Sequence, residues 1–313
     1  NGQRSVPTLL LHHPKFLEHL TPEGHPERPD RLRAIDRILE HERFQQLERD
    51  LATPANDEQI ARCHPTSYIQ HIRATAPETG FARLDADTTM SAGTLDAALL
   101  GAGAACTAVD EVMTGRVSNA FCASRPPGHH AERSTAMGFC FFNNAAIAAR
   151  HAQAAHGAER VAIVDFDVHH GNGTQDIFWD DPSVFYGSTH QMPLYPGTGA
   201  QRETGAGNIF NAPLSAGADG EVFKDAMRSR ILNSLKDFRP DLVIMSAGFD
   251  AHVRDPLGEL LLVEADFSWI TYHLMEIADQ YCHGRVVSVL EGGYDLEGLA
   301  RSTAAHVMAL MDA

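Results

Sequence analysis

The sequence predicts an α/β protein: a central, mostly parallel β-sheet flanked by helices, with its functional loops at the carboxyl edge of the strands. Three observations predict it. Apolar runs rich in Val, Ile and Phe alternate with longer segments of helical period, the pattern of strand–helix–strand crossovers. Long Gly, Pro and polar segments follow the apolar runs, which gathers them at one edge of a parallel sheet, where open α/β folds bind ligands. No repeat, low-complexity linker or shift of composition divides the 313 residues, so residues 1–313 are read as a single domain at the upper end of the usual size.

The elements follow in order. TLLLHH (8–13) is the first strand, and GHPERPDR then places Pro29 and Asp30 at the start of a helix over 30–47, where Pro and an acid are favoured. Helices over 57–73 and 92–114 lead to the strand NAFCAS (119–124) and the loop 124–138. After a helix at 143–156 come RVAIVDFDV (160–168), the loop 170–182, SVFYGS (183–188) and the long loop 190–219. A helix at 220–236, the strand DLVIMSAG (241–248), the loop 249–263, a helix at 264–282, the strand RVVSVLEGG (285–293) and a helix at 296–311 complete the chain. Loops of this length inside a compact domain usually carry function.

The charge balance is acidic, 41 Asp and Glu against 25 Lys and Arg. That argues against a direct nucleic-acid partner and suits a cationic ligand or a Lys-rich peptide. The five cysteines, at 63, 106, 122, 140 and 282, form no C-x-x-C pair, which predicts reduced thiols in a cytoplasmic setting. The opening residues lack the features of a signal peptide, and the uncharged run 97–109 is too short to span a bilayer. No membrane partner is expected.

Chemistry concentrates at the predicted strand ends. Asp165, Asp167 and His169 are spaced i, i+2, i+4, so an extended segment would project all three to one side. Burying them costs desolvation energy that either capped backbone amides or a metal ion must offset. Asp250 in SAGFDAH brings a further carboxylate to the same edge. Two carboxylates, one imidazole and an open fourth position suit a catalytic Zn²⁺, and Fe²⁺ could take the same set. His129 and His130, in the Pro-Gly loop SRPPGHH, are candidates for general base and acid, with Asp165 and Asn172 available to orient them. His170 has the opposite parity and faces elsewhere, and His12, His13 and His151 are read as surface residues. Tyr294 in LEGGYD is by itself a turn aromatic; beside a Lewis acid it is an oxyanion donor. Phe139 reads first as core packing, but with Tyr195 of MPLYPGTG it could wall a narrow apolar channel.

Taken in order, RPPGHH, GFCFFNN, DFDVHHGNGTQDIF, YPGTG, SAGFDAH and LEGGY resemble the zinc-dependent histone deacetylase family, in its class II or bacterial histone deacetylase-like amidohydrolase branch. The likeness runs from GHPERPDRL at 24–32 through Tyr294. It implies an arginase-like fold with a sheet of about eight strands and hydrolysis of an acylated amine. By position it implies Asp167, His169 and Asp250 as ligands of one catalytic Zn²⁺, His130 as main general base and acid with His129 as electrostatic partner, and Tyr294 as the carbonyl-polarising hydroxyl. Gly138, Phe139 and Tyr195 would bind the acyl-lysine chain, Tyr195 standing where relatives more often have Phe. A structural K⁺ is implied at Asp165, Ser188 and Thr189, with the carbonyls of Asp167 and His169. Asn172 stands where class I members have Asp. Arg31 matches an arginine near a proposed acetate exit, and Asp87 is a candidate for the loop aspartate that holds the substrate backbone. Leu257, seven residues after Asp250, would lie at the rim where polyamine-specialised relatives are expected to carry Glu. The implied substrate is an acylated lysine side chain of a protein or peptide. The alternatives are a small acetylated polyamine and a non-catalytic acyl-lysine binding module. Hydroxamate sensitivity is a further implication; oligomeric state is left open.

Overall fold

Ten strands alternate with helices in the computed structural model, which describes residues 6–312, so residues 1–5 and 313 of the 1–313 unit lie outside the described residues. The strands are β1 (Thr8–His12), β2 (Glu48–Leu51), β3 (Ala82–Arg83), β4 (Thr89–Met90), β5 (Asn119–Cys122), β6 (Val161–Asp165), β7 (Val184–Gln191), β8 (Ile209–Leu214), β9 (Leu242–Ala247) and β10 (Val286–Leu290). Eight of them form one sheet in the order β2-β1-β5-β10-β9-β6-β7-β8, every neighbouring pair parallel, while β3 and β4 make a small antiparallel hairpin. The arrangement is the arginase-like one expected.

The central strands β5, β6, β9 and β10 are buried at every residue, as their unbroken apolar runs require of a parallel sheet covered on both faces. The helices Thr94–Met113 and Asn144–His156 pack on each other and on the sheet, and Asp30–Ile38, Glu264–Cys282 and Leu296–Met311 form a second packed group. One continuous apolar core joins sheet and helices. Among the described residues no helix is long and apolar enough to cross a membrane.

This order decides where the site falls. Strands β5, β10, β9 and β6 are adjacent, and the segments leaving them carry His129 and His130, Tyr294, Asp250, and Asp167 with His169, respectively. Four loops far apart in sequence therefore open side by side.

Several expected elements differ. Strand β2 is mostly exposed and reads ERDL, so an edge strand without an apolar face gave no periodic signal. Strand β8, the other edge, lies inside the expected loop 190–219, and Asn172–Ile177 is a helix inside the expected loop 170–182. The expected helix 30–47 stops at Ile38 and is followed by a short 3-10 turn, Glu42–Phe44. The expected helix 57–73 stops at Ala61, and a new helix, Thr66–Thr75, begins after Pro65. The expected helix 220–236 runs on to Phe238 through a wider π turn, Met227–Leu232. The expected strand 160–168 ends at Asp165. Asp165 Oδ1 accepts from the Asp167 amide (3.1 Å) and Asp167 Oδ1 from the His169 amide (2.9 Å), two successive Asx turns that compete with ladder bonding.

Candidate metal centre and catalytic pocket

Those turns change the geometry read from spacing. Asp165, Asp167 and His169 do not share one side of an extended strand. Asp167 and His169 converge on Asp250, whereas the Asp165 carboxylate turns to His129 Nδ1 (2.7 Å) and accepts from the Tyr186 hydroxyl (2.7 Å). His169 Nδ1 lies 3.1 Å from Asp250 Oδ2 and 3.5 Å from Asp167 Oδ1, and one ligand atom from each of Asp167, His169 and Asp250 falls within 4.8 Å of the others, all buried.

The donor set fits a divalent cation. Burial and the nearby Asp167 charge push the Asp250 carboxyl up from its ordinary value, while against the cost of burial His129 and His169 hold Asp167 below its own. A hard dication relieves both desolvation and repulsion, and two carboxylate oxygens with one imidazole nitrogen suit Zn²⁺ or Fe²⁺. The backbone gives way for these side chains: a Cβ on Gly292 would sit 2.7 Å from Asp167 Oδ2, and the Gly292 amide donates to that oxygen at 2.8 Å.

The histidine pair sits beside the triad, ring centroids 4.1 Å apart. His130 Nδ1 meets Asn172 Oδ1 at 2.8 Å. The two environments push the pair apart. Against the cost of its burial, Asp165 and Asp167 hold His129 well above the ordinary histidine value. Burial, then the charges of His129 and His169, hold His130 well below it. His170 does face elsewhere, bonding Thr198 Oγ1 at 2.7 Å.

A cavity of about 290 Å³ opens over these groups, lined by Asp87, His130, Gly138, Phe139, His169, Leu194, Tyr195, Leu257 and Tyr294. The pocket thus unites His130, His169, Gly138, Phe139, Tyr195, Leu257 and Tyr294 from the sequence-predicted set, brings the candidate Asp87 to its wall and adds Leu194. Phe139 is not ordinary core packing. It holds φ 71°, an unfavourable backbone state for an aromatic residue, with its amide donating to Thr88 Oγ1 at 3.0 Å and its ring 5.8 Å from that of Tyr294. Tyr195 is 40% exposed, its ring 5.4 Å from that of His130. Burial holds the Tyr294 phenol well above its ordinary value, although Arg31 pulls the other way.

Asp165 and Ser188 are cross-strand partners on β6 and β7 and are fully buried, with Thr189 next to them. Arg31 is fully buried. Its guanidinium donates to Gly293 O (2.6 Å), Glu291 O (2.7 Å) and Glu27 Oε2 (2.7 Å) and lies 4.9 Å from the Tyr294 ring centre, so it braces the turn that presents Tyr294.

Sequence reasoning missed the supporting groups. Glu291 is completely buried and accepts from the amides of Gly128 (2.9 Å) and His129 (3.1 Å), fixing the histidine loop. A glutamate closing the run VVSVLE was the available signal. Asp255 accepts from the amides of Tyr294 (2.7 Å) and Leu257 (2.9 Å), tying phenol and rim together. His25 packs on Phe139 at 4.7 Å and bonds the Asp87 carbonyl at 3.0 Å.

A second convergence lies far from this pocket. His151, expected at the surface, is buried, and its Nε2 and that of His156 each lie 2.7 Å from Asp110 Oδ1. Arg62 donates to His151 Nδ1 at 3.1 Å, which leaves the imidazole proton on Nε2 and makes this a hydrogen-bonded cluster rather than a set of free ligand lone pairs.

Residues 25–310 match the family described as the histone deacetylase domain. The chain is 41% identical to histone deacetylase 10, chloroplastic, of Oryza sativa subsp. japonica, over 97% of this chain and 75% of that one. It is 37% identical to a probable deacetylase of Archaeoglobus fulgidus, over 97% and 86%. The crystal structure of the HDA15 HD domain superimposes with a TM-score of 0.93 at 37% identity, covering 98% of this chain and 88% of that one. Sequence, fold and matched domain agree along almost the whole length: the chain belongs to the histone deacetylase family.

Proposed function

We propose that this protein is a zinc-dependent deacylase that hydrolyses acyl-lysine, chiefly acetyl-lysine, to free lysine and a carboxylic acid. Family membership supports hydrolysis of an amide. The single observation that carries the finer reading is the convergence of Asp167, His169 and Asp250, of which His169 lines a cavity that also exposes His130 and Tyr294.

Asp167, His169 and Asp250 would hold the ion, leaving its cavity side free. Bound there, it supplies Lewis acidity, which brings a water toward ionisation near neutral pH and polarises the amide carbonyl. The remaining work belongs to the chain. Phe139 and Tyr195 would flank the acyl-lysine methylenes, with Gly138 beside them, and exclude water. His130, held neutral, would bond Asn172 through Nδ1–H and present the Nε2 lone pair to the attacking water. As the C–O bond forms, Nε2 takes the water's proton; as the C–N bond breaks, it passes that proton to the departing lysine nitrogen. His129, tied to Asp165, supplies the neighbouring charge. Tyr294 stays protonated and donates to the developing oxyanion. Asp165, Ser188 and Thr189, with the carbonyls of Asp167 and His169, would offer a K⁺ ion an oxygen cradle beneath. Arg31 would border the path by which acetate leaves. The five free cysteines are all buried, which fits a reducing, cytoplasmic setting.

A second substrate reading, a small acetylated polyamine, is favoured by the net charge of -16 and by Asp87 on the cavity wall. Leu257 speaks for acyl-lysine, because an apolar rim gives no charge-based preference for a second ammonium. Turnover of acetyl-lysine peptides against acetylpolyamines by metal-loaded protein tests this. A higher kcat/KM for peptides supports the proposal; a higher value for polyamines replaces it.

A further inference from the structure

The contact that holds Asn172 is not accounted for by the reaction above. Its amide must face His130 in one of two orientations that differ only by exchange of oxygen and nitrogen. With Oδ1 toward His130 Nδ1, that nitrogen carries the imidazole proton and Nε2 has a lone pair for the substrate side. With Nδ2 there instead, the proton moves to Nε2 and the base is lost. The geometry points to Glu132 as the residue that decides between them.

Glu132 Oε2 accepts from Asn172 Nδ2 at 3.1 Å, and the other neighbours of that nitrogen are also acceptors, Met137 Sδ at 3.3 Å and the His130 carbonyl at 3.4 Å. Reversing the amide would set Asn172 Oδ1 against a carboxylate, a carbonyl and a thioether, none of which can donate. Glu132 is half-buried, and among the described residues no cation lies within ion-pair distance of it. It reaches Asn172 from outside the catalytic pocket, and both residues line a separate polar cavity of about 650 Å³ together with Gln175, Asp176 and Trp179. Glu132 is thus a positioning residue, acting on His130 only through Asn172. The inference rests on the proposed role of His130 as base.

The test is a set of variants assayed on an acetyl-lysine peptide, with thermal melting to confirm folding and nitrogen NMR of the histidine rings in the metal-free protein to report the His130 tautomer. Glu132→Ala should lower kcat by about 10-fold or more with KM little changed, the usual cost of removing a partner one shell out. It should also turn a single Nδ1–H tautomer of His130 into a mixture. Glu132→Gln should recover most of the loss, because its Oε1 still accepts from Asn172. In an Asn172→Asp background a carboxylate faces His130 whichever way it turns, so Glu132→Ala should cost nothing further. A wild-type kcat and a single tautomer in Glu132→Ala, or an equal loss in both backgrounds, overturns the inference. If His130→Ala itself turns over like the wild type, the failure lies instead in the reading of His130 as base.

Discussion

At the scale of the residue, the proposed site would have no spare parts. Asp250→Ala or His169→Ala should abolish metal binding and turnover together, because three protein ligands leave no redundancy; elemental analysis of purified variants beside an acetate-release assay checks it. Full metal content with retained activity in Asp250→Ala would remove Asp250 from the ligand set. Tyr294→Phe separates binding from chemistry. It should keep its metal and lose about 10²-fold or more in kcat, the scale of one lost oxyanion donor, and steady-state kinetics decide whether the hydroxyl acts in the transition state. At this scale the sequence was most legible. His129, His130, Asp167, His169, Asp250 and Tyr294 all follow apolar runs, and although Tyr294 alone reads as a turn aromatic, the motifs together point to chemistry rather than packing. Glu132, Asp255 and His25 were not legible, since each acts through a backbone amide, a neighbouring ring or another side chain that is remote in sequence.

The elements reveal what holds the site from behind. Glu27 lies in the segment before the first long helix, fully buried between Arg31 (2.7 Å) and Arg125 (2.8 Å), and Arg125 also donates to the carbonyls of Phe16 and His19. Burial opposes ionisation of Glu27, and Arg125 and Arg31 overcome it, holding the carboxyl well below the ordinary glutamate range. A carboxyl whose folded value is depressed contributes stability that is present above its unfolded value and lost as pH falls through the folded one. Glu27→Gln should therefore destabilise the protein at neutral pH by about 3–5 kcal/mol, as expected when a buried pair loses one partner. It should also flatten the fall of stability with acid below the usual glutamate titration. Denaturant melts of both proteins across that range measure the difference; parallel pH profiles would contradict it. Element types followed periodicity in the interior strands, where the apolar signal is unbroken. They failed at the edge strands β2 and β8, whose pairing is set by neighbours rather than by their own faces, and at the end of β6, where two aspartates spend their side chains on local amides.

The whole chain carries a net charge of -16, while Leu257 gives the catalytic cavity an apolar lining residue, and under the proposed function these two features would compete in selecting a substrate. Leu257→Glu should move the kcat/KM ratio toward acetylputrescine or N-acetylspermidine by about two- to fivefold, the worth of a partly exposed charge pair, and the shift should shrink as salt rises. An unchanged ratio at low salt would place Leu257 outside the selecting contacts. Above all, amide hydrolysis should depend on one metal ion at Asp167, His169 and Asp250. This dependence is tested most directly by stripping the protein with a chelator, confirming the loss by elemental analysis, and titrating Zn²⁺ back while acetate release from an acetyl-lysine peptide is followed. The stripped protein should show no turnover and recover fully at one equivalent, with no recovery in Asp250→Ala. Undiminished turnover in protein shown to be free of metal would contradict that dependence.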